Sequence, residues 1–200
     1  KGELAPLEVS PTPLAVELSA PACYPHQDGL WCFTLAQHSL ADPLESLSAL
    51  ITLRSPSGEA LDSRTAYSAL ALHEPGKEMP LLAFFPAAPE TSFTASAQLL
   101  TAQPSENWQD RYAPVELTVQ EVRYSQDGRT AFLALKVSAQ SLSRLEVAVT
   151  AFDHRGIVVG VRTLSFEQAL AELLSEPVAV EVYSLGPQIS RVEVLAEGRP

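Results

Sequence analysis

The sequence lacks the residue patterns from which catalytic and metal sites are usually built. Its 200 residues include four histidines, and no two of them have the His-x-x-x-His spacing of a zinc site: His26, His38, His73 and His154. No serine lies in a Gly-x-Ser-x-Gly or Ser-x-x-Lys motif. No Asp-x-Asp-x-Asp run offers the converging oxygens that calcium needs. We therefore expect no catalytic residues, no metal and no cofactor, and predict that the protein is not an enzyme.

Two kinds of site are left open because spacing along a chain does not test them. A Ser–His–Asp triad assembled from separate loops is recognised only by its geometry, so a small hydrolase stays as an alternative. Carboxylate pairs suited to glycoside cleavage are Asp42 with Glu45 and Glu167 with Glu172, although a polar turn or helix face would carry these charges as well. Calcium bound between domains is the second, with Asp110, Asp127 and Asp153 as the candidate ligands.

Basic residues are also scarce. Thirteen lysines and arginines face 24 aspartates and glutamates, which gives a formal net charge of −11. Because nucleic acids and anionic membrane surfaces bind clustered positive charge, neither is expected as a partner.

No apolar run approaches the roughly 18 residues needed to cross a bilayer as a helix. We expect no membrane span in this chain. An export signal or lipid anchor upstream of Lys1 is left open.

Only two cysteines are present, Cys23 and Cys32. Pro25 and the pair Asp28-Gly29 between them favour a chain reversal, which would bring the two sulfur atoms together across a hairpin. A disulfide is the favoured interpretation, and free thiols or a metal or redox role are the alternatives. A disulfide indicates an oxidising compartment, so we predict an exported protein that is extracellular or in the cell envelope.

What the sequence does contain is an internal echo. Residues 47–58 align without a gap on residues 145–156, at an offset of 98, and both segments alternate apolar and polar residues before a glycine. The pairs Asp28-Gly29 and Asp127-Gly128 add a second match. Alternation that ends at a glycine turn is typical of a half-buried strand entering a hairpin. One strand-rich module is therefore predicted twice.

We predict an all-β protein of two tandem immunoglobulin-like β-sandwich domains. Residues 1–13 form an N-terminal tether or edge strand, residues 14–101 the first domain with the disulfide, residues 102–114 a linker, and residues 115–200 the second domain. Only residues 166–174 have a helix-forming composition. Sixteen prolines spread among short apolar runs agree with many strands joined by turns.

The run from Leu145 to Asp153 (Leu-Glu-Val-Ala-Val-Thr-Ala-Phe-Asp) and the later Ser190-Arg-Val-Glu-Val-Leu195 carry a family resemblance. With their echo in the first half, they resemble bacterial exported FxLYD-type and related immunoglobulin-like β-sandwich modules. The first half departs from that pattern at Arg54-Ser-Pro, where an aspartate is usual. The resemblance implies placement in the cell envelope and contact with proteins or surfaces, and it brings no catalytic residues. In related sandwiches a buried tryptophan packs on the disulfide, which predicts the same for Trp31.

Trp108 and Tyr112 lie in the polar linker, where exposed aromatic rings are costly unless they contact something. They are interpreted as an inter-domain contact or as a binding surface for sugar rings. The expected function is a non-catalytic adhesion, scaffold or spacer module whose partner is another envelope protein or a glycan. A carbohydrate-binding accessory module that uses the linker aromatics is the alternative.

Overall fold

The computed structural model describes residues 15–27, 29–139, 142–167 and 176–200. Over these residues the chain is all-β, and its only helical segment is a single 3-10 turn. The expected tether at residues 1–13 lies outside the described residues, as do residues 168–174 of the segment with helix-forming composition, while Phe166 ends a strand. In the described part of the chain, no helix is long and apolar enough to cross a membrane.

Seven strands form the first half of the molecule: β1 (Val16–Leu18), β2 (Ala22–His26), β3 (Gly29–His38), β4 (Leu44–Arg54), β5 (Ala60–Ser68), β6 (Met79–Phe85) and β7 (Thr94–Pro104). They make one antiparallel sheet in the order β1-β3-β6-β5-β4-β7, with β2 also paired to β3. The step from β6 to β5 rests on two residue pairs, Tyr67 with Leu82 and Ser68 with Leu81. Strands β3 and β6 on one side of this step and strand β4 on the other contribute side chains to one apolar core.

The 3-10 turn (Trp108–Asp110) connects β7 to the second half. The second half contains β8 (Val115–Tyr124), β9 (Thr130–Ala139), β10 (Arg144–Phe152), β11 (Val158–Phe166), β12 (Val178–Tyr183) and β13 (Arg191–Arg199). These strands form two three-stranded sheets, β12-β9-β8 and β11-β10-β13, which enclose a second core in a sandwich-like arrangement.

Glycine turns end the strands where the echo predicted them. Gly58 and Gly156 have φ angles of 87° and 77°, a left-handed conformation that a residue with a Cβ adopts only with strain. Asp153 organises the second of these turns, because its Oδ1 accepts hydrogen bonds from the backbone N–H groups of Arg155 and Ile157.

The predicted disulfide between Cys23 and Cys32 is present. The two residues lie directly opposite each other on β2 and β3, and Cys32 is fully buried in the first core. The bridge therefore joins the two strands of the β2–β3 hairpin to each other.

Strand β3 is buried on both faces, which the alternating pattern did not predict. One face, with Leu30 and Cys32, belongs to the first core. The other face, with Phe33, packs on Phe152 and Val158 of the second half. Burying both faces of one strand joins the halves through apolar contact.

The prediction for Trp31 is wrong in its partner. Trp31 lies on the Phe33 face of β3, and its ring centroid is 5.0 Å from that of Phe84. The disulfide belongs to the opposite, core-facing side, because successive side chains of a strand point to opposite faces.

Candidate functional site

The candidate site lies where the connecting segment passes between the two halves. Tyr112 is its centre, with only 3% of its surface exposed. The Tyr112 hydroxyl donates a hydrogen bond of 2.5 Å to Oε1 of Glu45 on β4 and accepts one of 3.1 Å from Nη2 of Arg199 on β13. One phenol thus connects a strand of the first half to the last strand of the second half.

Arg111 also binds the carboxylate of Glu45. Its two terminal nitrogens donate to the two carboxylate oxygens, at 3.1 Å to Oε1 and 2.8 Å to Oε2. Such a bidentate salt bridge fixes the orientation of both side chains. Burial alone would raise the pKa of Glu45, but hydrogen bonds from Tyr112 and Arg111 outweigh it and hold the pKa below its ordinary value.

The environment of Tyr112 keeps its hydroxyl protonated. Burial, with the hydrogen bond to Glu45 as the next cause, raises the pKa of Tyr112 to about 12. At physiological pH the phenol is therefore protonated and donates its hydrogen bond to Glu45. The arrangement is suited to holding two elements together.

Glu197 forms a second link between the halves. Its side chain, on β13, is 3% exposed, and Oε2 accepts hydrogen bonds of 2.8 Å and 2.9 Å from the backbone N–H groups of Ala71 and Leu72. Oε1 is buried without a hydrogen bond and lies 3.6 Å from Nη2 of Arg199. Burial raises the pKa of Glu197, against the effect of the two backbone donors.

A cavity of about 300 Å³ adjoins these links. Trp108 lines it from the 3-10 turn and is half-buried, and Tyr112 and Glu197 line it from the connection and from β13. The rest of the wall combines the charged residues Glu74 and Lys77 with apolar residues that include Leu70, Leu72, Met79, Leu117, Val194 and Leu195. The two aromatic residues of the predicted linker therefore meet at one cavity between the halves, Tyr112 buried and Trp108 partly exposed.

Two of the four histidines form a buried pair beside this region. The rings of His38 and His73 meet edge to face with centroids 4.6 Å apart. Nε2 of His73 donates a hydrogen bond of 2.8 Å to the carbonyl oxygen of Lys77, and Nδ1 of His73 is buried without a hydrogen-bond partner. Burial lowers the pKa of His73, with the neighbouring His38 as a smaller cause in the same direction. The two histidines also hold the backbone of the loop around His73, because Nε2 of His38 donates a hydrogen bond to the carbonyl oxygen of His73.

The aspartates considered for calcium have other partners or lie apart. Oδ1 of Asp127 accepts a hydrogen bond from the Ser125 hydroxyl and one from the backbone N–H of Arg129. The Asp153 carboxylate accepts a hydrogen bond from the backbone N–H of Arg155 within its own turn, and Asp110 lies in the 3-10 turn. Within the described ranges, no group of three or more His, Cys, Asp or Glu residues could hold a metal ion.

The sequence singled out Trp108 and Tyr112, but it did not predict the hydrogen bonds that Glu45 and Arg199 make with Tyr112. Nor did it predict that Glu197 accepts hydrogen bonds from the backbone of Ala71 and Leu72. Glu45, Glu197 and Arg199 lie on strands and have the spacing of ordinary surface charges. Tyr112 lies 67 positions from Glu45 and 87 positions from Arg199 in the chain. Leu72 lies 125 positions from Glu197. Only the packing of the halves reveals these pairings.

The chain matches no protein-family model, and no curated protein is significantly similar to it in sequence.

Proposed function

We propose that the chain consists of two tandem immunoglobulin-like domains that act together as a non-catalytic scaffold, spacer or adhesion module of the cell envelope. The observation that carries this proposal is the double linkage between the halves. Polar contacts at Tyr112 form one link, and an apolar cluster around Phe33 and Phe152 forms the other, at the opposite end of the paired strands β10 and β13. A module of this kind needs a fixed distance and angle between its ends, and it needs no reacting group.

The strand order supports duplication of one domain. In the second half the first, second and fifth strands form one sheet (β8-β9-β12), and the third, fourth and sixth form the other (β10, β11, β13). In the first half β1, β3 and β6 are neighbours in the same order, and so are β5, β4 and β7. Two sheets with this crossing connectivity are the plan of an immunoglobulin-like sandwich.

The apolar face of β3 supports a fixed pairing of these domains. Phe33 and Phe152, from opposite halves, are 3% and 0% exposed. Burial of side chains this large stabilises an interface by roughly 1.5–3 kcal/mol each. Strand β9 of the second half is equivalent to β3. Where β3 has Phe33, Leu35 and Gln37, β9 has Phe132, Ala134 and Lys136, a more polar set that suits a free surface.

The disulfide supports placement outside the cytoplasm. Bridges persist in oxidising compartments and are rare where thiols are kept reduced.

The test of this proposal uses cells that express the natural gene. Fractionation and non-reducing immunoblotting are expected to find the chain in the envelope fraction, with Cys23 and Cys32 protected from alkylation. Cross-linking on intact cells is expected to join it to another envelope protein. Recovery in the cytosol with both thiols alkylated, or no cross-linked product, contradicts the proposal.

Only one of the two linker aromatic residues is accessible enough to bind a sugar, as the carbohydrate-binding alternative requires. Tyr112 is buried and cannot stack on a sugar, whereas Trp108 lines the cavity with part of its ring exposed. A glycan array compares the wild type with Trp108→Ala and with Tyr124→Ala, an exposed aromatic control. Binding that is lost only in Trp108→Ala, with unchanged thermal stability, favours the alternative.

A further inference from the structure

A second groove lies between the two halves, on the face of β3 that is opposite the disulfide. Its volume is about 330 Å³. The first half contributes Trp31 and Phe33 of β3, and the second half contributes Arg162 of β11 and Tyr183 of β12. The cavity beside Trp108 shares none of its lining residues with this groove. The groove is therefore a separate surface to which both halves contribute.

Several aromatic rings are accessible at or beside this groove. Tyr183 is 50% exposed, and Trp31 is only partly buried. Phe84, whose ring centroid lies 5.0 Å from that of Trp31, is 41% exposed. Large rings left in water are typical of a contact surface. Tryptophan, tyrosine and arginine are also the residues that contribute most to protein–protein interfaces.

The charge of the groove is opposite to that of the whole chain. Arg162 and His26 line it, and none of its described lining residues is acidic, although the net charge of the chain is −11. Arg162 forms no ion pair with any described residue. The hydroxyl of Tyr183 donates a hydrogen bond to Glu181, which does not line the groove. An unpaired guanidinium in an acidic protein favours a ligand with an anionic group.

The polar side chains of the groove suit a ligand that accepts hydrogen bonds. The guanidinium of Arg162 and the indole N–H of Trp31 donate and do not accept. A proline-rich segment is rich in acceptors, because each proline has a carbonyl oxygen but no N–H. Its polyproline II form also packs into aromatic-lined grooves at a low cost in conformational entropy. Sugar hydroxyls both donate and accept, and no carboxylate among the described lining residues accepts from them.

We propose that this groove binds an acidic, proline-rich segment of a partner protein. Its prolines pack on the rings of Trp31 and Tyr183, and its carboxylate pairs with Arg162. The proposal rests on the proposed function, because it specifies the surface and the chemistry through which the module contacts another envelope protein.

Fluorescence anisotropy of labelled synthetic peptides, titrated with the full oxidised chain, tests this proposal. A peptide of repeated Pro-Pro-Glu is expected to bind at least tenfold more tightly than repeated Pro-Pro-Lys, and this preference should shrink as the salt concentration rises. Repeated Gly-Ser-Glu has the same charge without proline and is expected to bind at least tenfold more weakly. Equal binding of the three peptides, or no binding of repeated Pro-Pro-Glu, overturns the proposal.

Two matched pairs of variants locate the binding surface. Tyr183→Ala is expected to weaken binding of the Pro-Pro-Glu peptide at least tenfold, and Tyr124→Ala, which removes another exposed tyrosine, should bind as the wild type does. Arg162→Glu is expected to abolish the preference for glutamate over lysine peptides. Arg123→Glu makes the same change of charge at an exposed position on β8 and should keep that preference. Equal effects within either pair contradict the assignment.

Tryptophan emission gives a readout that leaves the groove unchanged. The chain has two tryptophans, so Trp108→Phe leaves Trp31 as the only one. Its emission is expected to shift to the blue as the Pro-Pro-Glu peptide covers the ring. A rise in anisotropy without a change in this emission places the peptide elsewhere and overturns the proposal.

The outcomes on cells separate this proposal from the proposed function. If the cross-linked envelope protein is retained by Tyr183→Ala and Arg162→Glu, the scaffold role stands and the groove is not the contact. If the peptide binds but no envelope protein is cross-linked, the groove assignment stands and the proposed function fails. Glycan binding that Tyr183→Ala abolishes, without binding of any peptide, assigns the groove to a sugar and overturns the proposal.

Discussion

The phenol of Tyr112 donates a 2.5 Å hydrogen bond to the carboxylate of Glu45, 67 residues earlier in the chain. Arg199 donates to the same phenol from the last strand, at 3.1 Å. The connecting segment is therefore pinned to both halves at one buried point. Several measurable properties depend on this point and on its neighbours.

Removing the Tyr112 hydroxyl tests the clamp. Tyr112→Phe keeps the ring but removes a part-buried hydrogen-bond partner from each of two charged groups, the Glu45 carboxylate and the Arg199 guanidinium. We expect the free energy of unfolding to fall by about 1–3 kcal/mol. Urea denaturation measures this loss, with Tyr124→Phe as the matched control, because the exposed Tyr124 hydroxyl makes only a 3.4 Å contact with the carbonyl oxygen of Ser190. Equal effects of the two substitutions contradict a special role for Tyr112.

Glu197 should produce a pH-dependent difference in stability. Its folded-state pKa is raised above the ordinary 4.5, so its favourable contribution is present below that pH and is lost as the pH rises through the folded pKa. We expect the unfolding free energy of the wild type, relative to Glu197→Gln, to decrease from pH 4.5 towards neutrality. The control is Glu193→Gln on the same strand, because the Glu193 side chain is partly exposed and is paired with Arg191. A difference that is flat or rises with pH would falsify this account of Glu197.

Glu197→Ala tests the same residue as a hydrogen-bond acceptor. The substitution leaves the backbone N–H groups of Ala71 and Leu72 without their acceptor. We expect a loss of about 2–4 kcal/mol, larger than that of Glu197→Gln at every pH. Chemical denaturation of the two variants side by side checks the order.

His73 should have the opposite pH dependence to Glu197. Its pKa is lowered by burial, so its contribution to stability is fully present above its ordinary value of 6.5 and is lost as the pH falls through the folded pKa. Relative to His73→Gln, whose amide can still donate to the carbonyl oxygen of Lys77, the wild type is expected to lose stability below about pH 6.5. Thermal unfolding of both proteins between pH 8 and pH 5 measures the difference. A constant offset would show that His73 does not gain a proton on unfolding.

The disulfide should raise the free energy of unfolding by an amount that depends, through its logarithm, on the length of the loop that it closes. Cys23 and Cys32 are nine positions apart, for which the chain-entropy model gives about 2–3 kcal/mol. Cys23→Ala/Cys32→Ala is expected to lose this amount, and the wild type in reductant should lose a similar amount. A double variant as stable as the oxidised protein contradicts the prediction.

Several parts of this structure could be predicted from the sequence because their cause is local. Alternation of apolar and polar residues located β4 and β10, the glycines located their turns, and Pro25 with Asp28-Gly29 indicated the hairpin that brings Cys23 and Cys32 together. Each of these signals spans about a dozen residues and needs no knowledge of the remaining chain.

The remaining features depend on how the halves pack. Phe33 and Trp31 alternate with Cys32 as any half-buried strand would, and nothing near them shows that their face is covered by Phe152. In the same way, Glu45 and Glu197 have the sequence context of surface carboxylates. Their burial results from contacts 67 and 125 residues away, which no local pattern encodes.

The central claim is that the two halves hold one fixed arrangement, and an electron–electron distance measurement tests it most directly. Spin labels on Ser57→Cys and Gln120→Cys report on the two halves, because both positions are exposed and the native cysteines are bridged to each other. We predict one narrow distance distribution for this labelled protein and a broader one when Phe152→Ala is added. A broad or multi-peaked distribution without Phe152→Ala would contradict a fixed arrangement.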